Sequence, residues 1–137
     1  MCPPEAVVEF ELSVYGRTGK TGDANVAEMK PMYGNVTKII LVKSAKDVVE
    51  GADIVVTTTP SREPLISNDW VKAGMHFNFI GADAPGKQEL EPAILTRAKI
   101  VVDDWEQASH SGEINVPLTK GIITKQNVWG EICELVA

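Results

Sequence analysis

Short apolar runs rich in β-branched residues alternate along the chain with polar segments that carry glycine or proline. The run over 7–15 (VVEFELSVY) ends at Gly16 and predicts a strand, and the glycine density of 16–23 (GRTGKTGD) predicts a loop after it. Residues 24–33 read as a short helix that Pro31 should end or bend. A second strand is expected over 37–43 (TKIILVK). Ser44 then stands at an N-cap position before a helix over 45–50 closed by Gly51. The third strand, 53–59 (DIVVTTT), has a continuous apolar stretch, which predicts cover on both faces and burial of Ile54, Val55 and Val56 together. A helix follows from Ser67 through Lys72 with Gly74 at its close, then a strand over 75–80 (MHFNFI). Helix 89–98 carries Pro92 in its first turn, strand 99–103 (KIVVD) follows, and 104–111 reads as helical. Residues 115–126 read mostly as loop, and a last helix is expected from Trp129 to Ala137.

Strand and helix alternate with short links, so the expected fold class is α/β, a doubly wound and mainly parallel sheet with helices on both faces. No internal repeat or low-complexity stretch interrupts it, and no domain boundary is expected within 1–137. The composition fits that reading: 44% hydrophobic and 23% charged residues are ordinary for a globular protein. A formal net charge of -6 with no Lys/Arg cluster argues against a nucleic-acid partner. No apolar run reaches the roughly 18 residues of a membrane span, and no basic leader precedes an apolar segment, so a cytoplasmic protein is expected. Cys2 and Cys133 belong to no C-x-x-C pair and build neither a zinc site nor a disulfide framework.

In parallel sheets ligands sit at the carboxyl ends of the strands. The residues expected there are Gly16-Arg17-Thr18, Thr57-Thr58-Thr59-Pro60-Ser61-Arg62, Gly81 through Lys87 (GADAPGK), and Asp103-Asp104. Small and hydroxylated residues gather at this edge and leave room for a ligand to touch backbone. Asp83 lies between glycines just beyond a strand; its carboxyl is placed to take a proton, orient water, or close a local Asx turn. Thr57 reads as an ordinary strand residue, and Arg62 as an unassigned surface charge. His76 falls inside an apolar strand and reads as a core histidine with a partner, whereas His110 reads as accessible.

The stretch 81–90 (GADAPGKQEL), preceded by 53–64 (DIVVTTTPSREP) and followed in order by 100–103, 112–117 (GEINVP) and 130–132 (GEI), resembles the ornithine cyclodeaminase/mu-crystallin family, and within it the archaeal-type alanine dehydrogenases. The resemblance runs from about Phe10 to Ala137. It implies a Rossmann-type NAD(P)-binding domain whose companion, a substrate and dimerisation domain, is expected to be absent from this chain. It implies an oxidoreductase that passes hydride from the α-carbon of an amino acid to a nicotinamide. In a dehydrogenase, water then hydrolyses the imine, taking L-alanine to pyruvate and ammonia. In a cyclodeaminase, the side-chain amine closes on the imine, taking L-ornithine to L-proline and ammonia. The resemblance makes Asp83 the catalytic proton carrier and gives Thr58, Thr59 and Gly81 to the cofactor. It also implies a homodimer for a full-length relative, and it includes mu-crystallin-like binding proteins that suggest a non-catalytic module instead.

A dinucleotide fold opens with a strand, G-x-G-x-x-G and a helix N-terminus aimed at the pyrophosphate. No two glycines here are separated by a single residue, so that motif is missing and its strand is expected to lie before Met1. The strand ending at Tyr15 then corresponds to the second strand of such a fold. Gly16-Arg17-Thr18 occupies the place where the family commonly carries an aspartate for the ribose. Gly16 gives space there and Arg17 supplies a cation for a 2'-phosphate, which leans the cofactor toward NADP over NAD. A chain without its first strand is expected to be inactive alone, to self-associate through unpaired strand edges and to bind dinucleotide weakly. The sequence Gly19-Lys20-Thr21 mimics the end of a P-loop, but Val14 stands where that motif requires glycine.

Overall fold

The computed structural model describes residues 10–16, 18–33 and 37–136. Val7 to Glu9 of the expected first strand, Arg17, Cys2 and Ala137 lie outside the described residues. The chain divides into two compact units, 1–48 and 49–137.

In the first unit, β1 (Phe10–Val14) and β2 (Thr37–Leu41) pair in parallel, with Leu12 opposite Ile39. The connection between them is α1 (Gly19–Tyr33), which begins five residues before the expected helix and absorbs much of the expected loop. The glycines lower helix propensity, but Gly22 is used for packing: a Cβ there would fall 2.6 Å from the Leu41 side chain on β2. Pro31 does not end the helix, which runs on to Tyr33. With the helix closing two residues later, little of the hydrogen-bond ladder depends on the missing N–H. Helix α2 (Ala45–Glu50) follows as expected, and Ser44 caps it by accepting from Asp47 N at 3.1 Å.

The second unit holds two further parallel ladders. β3 (Ile54–Thr57) pairs with β4 (His76–Phe79), and β5 (Ile100–Val102) with β6 (Val128–Glu131). Every ladder among the described residues is parallel, as the strand–helix rhythm requires. The core of this unit gathers Val49, Val55, Leu90, Ile94, Ile100 and Ile123, with Phe77 and Phe79 stacked 5.5 Å apart against it.

Strand β3 corrects the expectation of uniform burial. Val55 is 2% exposed, but Ile54 and Val56 are 63% and 55% exposed. Side chains alternate across a strand, and the core described here covers one face of β3–β4. The same alternation corrects His76. Its ring stands on the exposed face and meets Asn78 Oδ1 at 3.2 Å, instead of sitting in the core.

Three expected helices shrink or change type. The segment after Ser67 is a single 3-10 turn, Asn68–Trp70, and Ser67 spends its hydroxyl on Glu91 at 3.0 Å rather than on a cap. The expected helix 89–98 reduces to a 3-10 turn, Pro92–Ile94, because residues 89–91 are drawn into a parallel bridge beside Ile66, where the Glu89 carbonyl accepts from Leu65 N and Ile66 N and Glu91 N donates to Ile66 O. The stretch from Trp129 opens as strand β6 beside β5 and turns helical only at α5 (Ile132–Leu135). The expected loop 115–126 contains α4 (Asn115–Thr119). Helix α3 (Trp105–Ser111) matches its reading: Asp104 caps it by accepting from Gln107 N at 2.8 Å, and Gly112 closes it on Ala108 O at 3.0 Å. No described helix is long and apolar enough to cross a membrane.

Leu90 is 1% exposed in the centre of this core. Leu90→Ala is expected to destabilise the chain by about 2–5 kcal/mol through the cavity it leaves. Denaturant unfolding checks this: the midpoint should fall while the slope stays unchanged.

Candidate functional site

The carboxyl ends of β3 and β4 are tied together by one side chain. Glu89 has no exposed surface, and burying a carboxyl requires donors within the protein. Four donors meet it. Thr57 Oγ1 reaches Oε2 at 2.5 Å, Thr59 N and Thr59 Oγ1 each reach Oε1 at 2.7 Å, and Gly81 N reaches Oε2 at 3.1 Å. The Glu89 carbonyl accepts from Leu65 N at 2.7 Å and Ile66 N at 3.1 Å, so the residue also fixes the loop before the first 3-10 turn. Gly81 is required by proximity: a Cβ on it would run into the Thr59 backbone and the Glu89 carboxyl.

Beneath Glu89 lies a second buried acid. Glu113 Oε1 accepts from Glu89 N at 2.9 Å and Leu90 N at 2.7 Å, and Oε2 accepts from Glu89 N at 2.9 Å. Burial pushes the Glu113 carboxyl up to about 7, against the lowering effect of the N–H groups of Leu90 and Glu89; the neighbouring Glu89 carboxyl adds a smaller push in the same upward direction. Asn115, the first residue of α4 and also buried, completes the support. Its Oδ1 accepts from Gly86 N at 2.9 Å, and its Nδ2 donates to Lys87 O at 2.9 Å and Gly112 O at 2.6 Å. Gly86 turns the chain here with φ +77°, a conformation that favours glycine.

Asp83 projects from the loop these residues hold. Its side chain is exposed and forms an ion pair with Lys87, four residues on. Lys87, by hydrogen bond and by charge, holds the Asp83 carboxyl below the usual aspartate range. Of the other expected site residues, Thr58 is exposed at the tip of β3, and its hydroxyl makes no hydrogen bond among the described residues. Thr59 commits its hydroxyl and N–H to Glu89, and Gly81 commits its N–H there too. The second unit therefore brings Thr58, Thr59, Gly81 and Asp83 to one pair of strand ends. Gly16 and Thr18 belong to the first unit, where Gly16 packs on Gly22 with 3.4 Å left for a Cβ. Arg17 lies outside the described residues. No cluster of metal-binding side chains occurs among the described residues.

Sequence reasoning passed over Glu89, Glu113 and Asn115. All three lie inside the quoted stretches GADAPGKQEL and GEINVP. The available signal was an acid beside an apolar residue in each, Glu89-Leu90 and Glu113-Ile114, within segments with no charged helical face.

Comparison with known proteins follows the same lines. A family model, the ornithine cyclodeaminase/mu-crystallin family, matches residues 5–137. An alanine dehydrogenase of Archaeoglobus fulgidus is 58% identical over 85 residues, which cover 62% of this chain and 26% of that protein. A solved archaeal alanine dehydrogenase, a dimer with bound NAD, superposes with a TM-score of 0.85 at 42% identity, covering 93% of this chain and 38% of the other. A Δ1-pyrroline-2-carboxylate reductase of Thermococcus litoralis, solved with NADH and L-proline, also gives a TM-score of 0.85, at 30% identity over 92% of this chain and 39% of that one. The chain thus spans about a quarter of the curated alanine dehydrogenase it matches, and its fold is that of the Rossmann-type NAD-binding part of such enzymes.

The raised Glu113 carboxyl sets a pH dependence of stability. Its folded-state value of about 7 lies above the ordinary 4.5, so its contribution is full below pH 4.5 and is lost as pH rises to about 7. Asp83 and Glu91 are both lowered, so their changes fall below this window. Unfolding free energy should fall by about 3 kcal/mol across the window. Glu113→Gln should flatten that fall, as read from denaturant midpoints measured at a series of pH values.

Proposed function

The chain belongs to the ornithine cyclodeaminase/mu-crystallin family, and from that premise we propose that it supplies the nicotinamide-side wall of an NAD(P)-dependent amino-acid oxidoreductase, one that takes L-alanine to pyruvate and ammonia. The observation that carries the reading is the Asp83 carboxylate, exposed on a loop whose base is pinned to the ends of two parallel strands. An exposed anion on a fixed support suits an amino-acid substrate, whose α-ammonium group competes with Lys87 for the carboxylate.

The strand ends fit a nicotinamide nucleotide in one respect that is independent of relatives. Thr58 presents an exposed hydroxyl with no partner among the described residues, just beyond the carboxyl end of β3. Thr58 and Gly81 would hold the nicotinamide and ribose side, with Thr59 setting the height of the tip through its bonds to Glu89. When bound, the nicotinamide supplies a hydride acceptor for the substrate α-carbon. Asp83 takes a proton from the α-ammonium group and then holds water against the α-carbon for hydrolysis of the imine. Overall, L-alanine, oxidised nicotinamide and water give pyruvate, ammonium, reduced nicotinamide and a proton.

At the first strand end, Gly16 makes space and Arg17 supplies a cation for a 2'-phosphate, which favours NADP. The solved relatives carry NAD or NADH, and the comparison of the two cofactors is therefore part of the test. The likeness to a reductase holding L-proline favours, as a second reading, closure of L-ornithine to L-proline. In either case the active form is a homodimer of the kind seen in the alanine dehydrogenase.

Calorimetric titration of this chain with NADH and NADPH tests the reading, with NADPH expected to bind more tightly and Arg17→Ser to reverse that order. This chain alone is expected to bind weakly, so it is absence of heat with both cofactors in a hybrid with the Archaeoglobus fulgidus alanine dehydrogenase that would remove the nicotinamide assignment. Turnover is tested in a hybrid, the Archaeoglobus fulgidus alanine dehydrogenase with its matching segment exchanged for this chain. There Asp83→Asn should lower kcat by roughly 10²–10⁴-fold while leaving cofactor affinity nearly unchanged. Turnover of L-ornithine instead of L-alanine by the unmutated hybrid would select the second reading.

A further inference from the structure

The loop that carries Asp83 owes its position to groups that sit below it. Glu113 grips two consecutive N–H groups at its far end, those of Glu89 and Leu90, at 2.9 and 2.7 Å. Asn115 grips its middle through Gly86 N and Lys87 O, both at 2.9 Å. Glu89 in turn pins its near end through Gly81 N. Asp83 lies between these points and touches none of the buried acids; its side-chain partner is Lys87, whose backbone carbonyl is the atom Asn115 holds.

We propose that Glu113 is a positioning residue for Asp83: through the backbone of Glu89 and Leu90 it sets where the Asp83–Lys87 pair stands relative to the strand ends. The proposal rests on the reading of Asp83 as the proton carrier of the site. Glu113 touches neither that carboxylate nor the face where a cofactor would lie. Its effect passes from the gripped N–H groups of residues 89 and 90 back along the backbone to Lys87, whose carbonyl Asn115 also holds.

The arrangement also makes the grip switchable. Glu113 titrates at about 7, since burial outweighs the two N–H groups that favour its ionised form. The ionisable side chain that faces it is Glu89, whose own oxygens are filled by Thr57, Thr59 and Gly81. From the loop, Lys87 and Asp83 answer each other and Arg62 reaches the Pro85 carbonyl at 3.2 Å; Gln88 on the loop and Asn115 on α4 are neutral. Gain of charge on Glu113 therefore meets no cation, and the groups placed to answer it are the N–H groups of Glu89 and Leu90 that it already holds.

Nuclear magnetic resonance of this chain over pH 3 to 9 tests the inference. The amide signals of Glu89 and Leu90 should move in a step with its midpoint at about 7. The Asp83 carboxyl carbon should show its own step at low pH and a second, smaller one coincident with the amides. Glu113→Gln, which keeps an acceptor for both N–H groups, should abolish the second Asp83 step and leave the first. Glu106→Gln, at an exposed acid of α3, should leave both. An Asp83 signal with only its low-pH step, in a wild-type chain whose Glu89 and Leu90 amides do titrate near 7, would overturn the proposal and reduce Glu113 to a structural role. That comparison needs no variant, so it stands even if Glu113→Gln unfolds. NADH added to the same samples separates the two readings. Coupled steps without NADH-induced shifts at Thr58 and Gly81, at NADH raised far enough to reveal weak binding, support the positioning of Asp83 and remove the nicotinamide assignment. NADH-induced shifts with no second Asp83 step do the reverse.

Discussion

A carboxyl group cut off from water has to find its donors inside the protein or become a large liability. Glu89 finds four, and they come from the ends of two neighbouring strands. A parallel pair such as β3–β4 has no hairpin to fix its ends, because each strand leaves the sheet through a separate loop. Glu89 replaces the hairpin with a polar brace. Removing it would leave two backbone N–H groups and two hydroxyls without that partner, at a cost of roughly 1–3 kcal/mol for the buried Thr57 hydroxyl and less for the part-buried groups of Thr59 and Gly81. Everything proposed for the site is referred to this point: the height of the β3 tip, the approach of Gly81 and the start of the Asp83 loop.

Glu113 and Asn115 extend the brace downward. Glu89 is the acceptor for the strand ends and, through its N–H, the donor to Glu113, so the two acids form a series in which each holds the next. A buried acid is costly unless it gives up its charge, and the upward push on Glu113, set chiefly by burial and in smaller part by the neighbouring Glu89, is the expression of that cost. The network is satisfied on the side of the strand tips by N–H and hydroxyl donors and on the other side by backbone. It leaves the exposed Asp83–Lys87 pair as the loop's only ion pair among the described residues. A supported base with an accessible charge at its tip is the arrangement a proton-transfer site needs.

The sequence made the strands legible because β-branched runs between glycines have few other readings, and five of the six described strands fall where those runs predict them. Ser44 was legible as a cap for a similarly local reason, whereas the cap that Asp104 supplies to α3 emerged only in the structure. The failures share a different cause. Residues 89–98 have helix-forming composition, yet the Glu89 carbonyl that a following turn would use is taken by Leu65 N and Ile66 N, more than twenty positions earlier. Trp129 is helix-compatible, yet its segment is drawn into the ladder beside β5. The exposure of Ile54, Val56 and His76 follows from which face the core covers, and an apolar run does not contain that information. Of the candidate site, the exposed tip residues were readable from their place after strands. Its buried support was not, because an isolated glutamate in a sequence looks like a surface charge until its donors are known.

The spacing of the anchors has a consequence for substitution. The loop is fastened at Gly81 and again from Gly86 to Leu90, and of the residues between, Ala82 to Pro85, Asp83 alone lends a described side-chain hydrogen bond, to Lys87. Foot and crest are thus separable. The foot can be kept while the crest is exchanged, shortened or recharged at little cost to the sheet beneath. Such a division lets substitutions at a few crest positions alter what the loop meets while the polar chemistry of the foot stays in place.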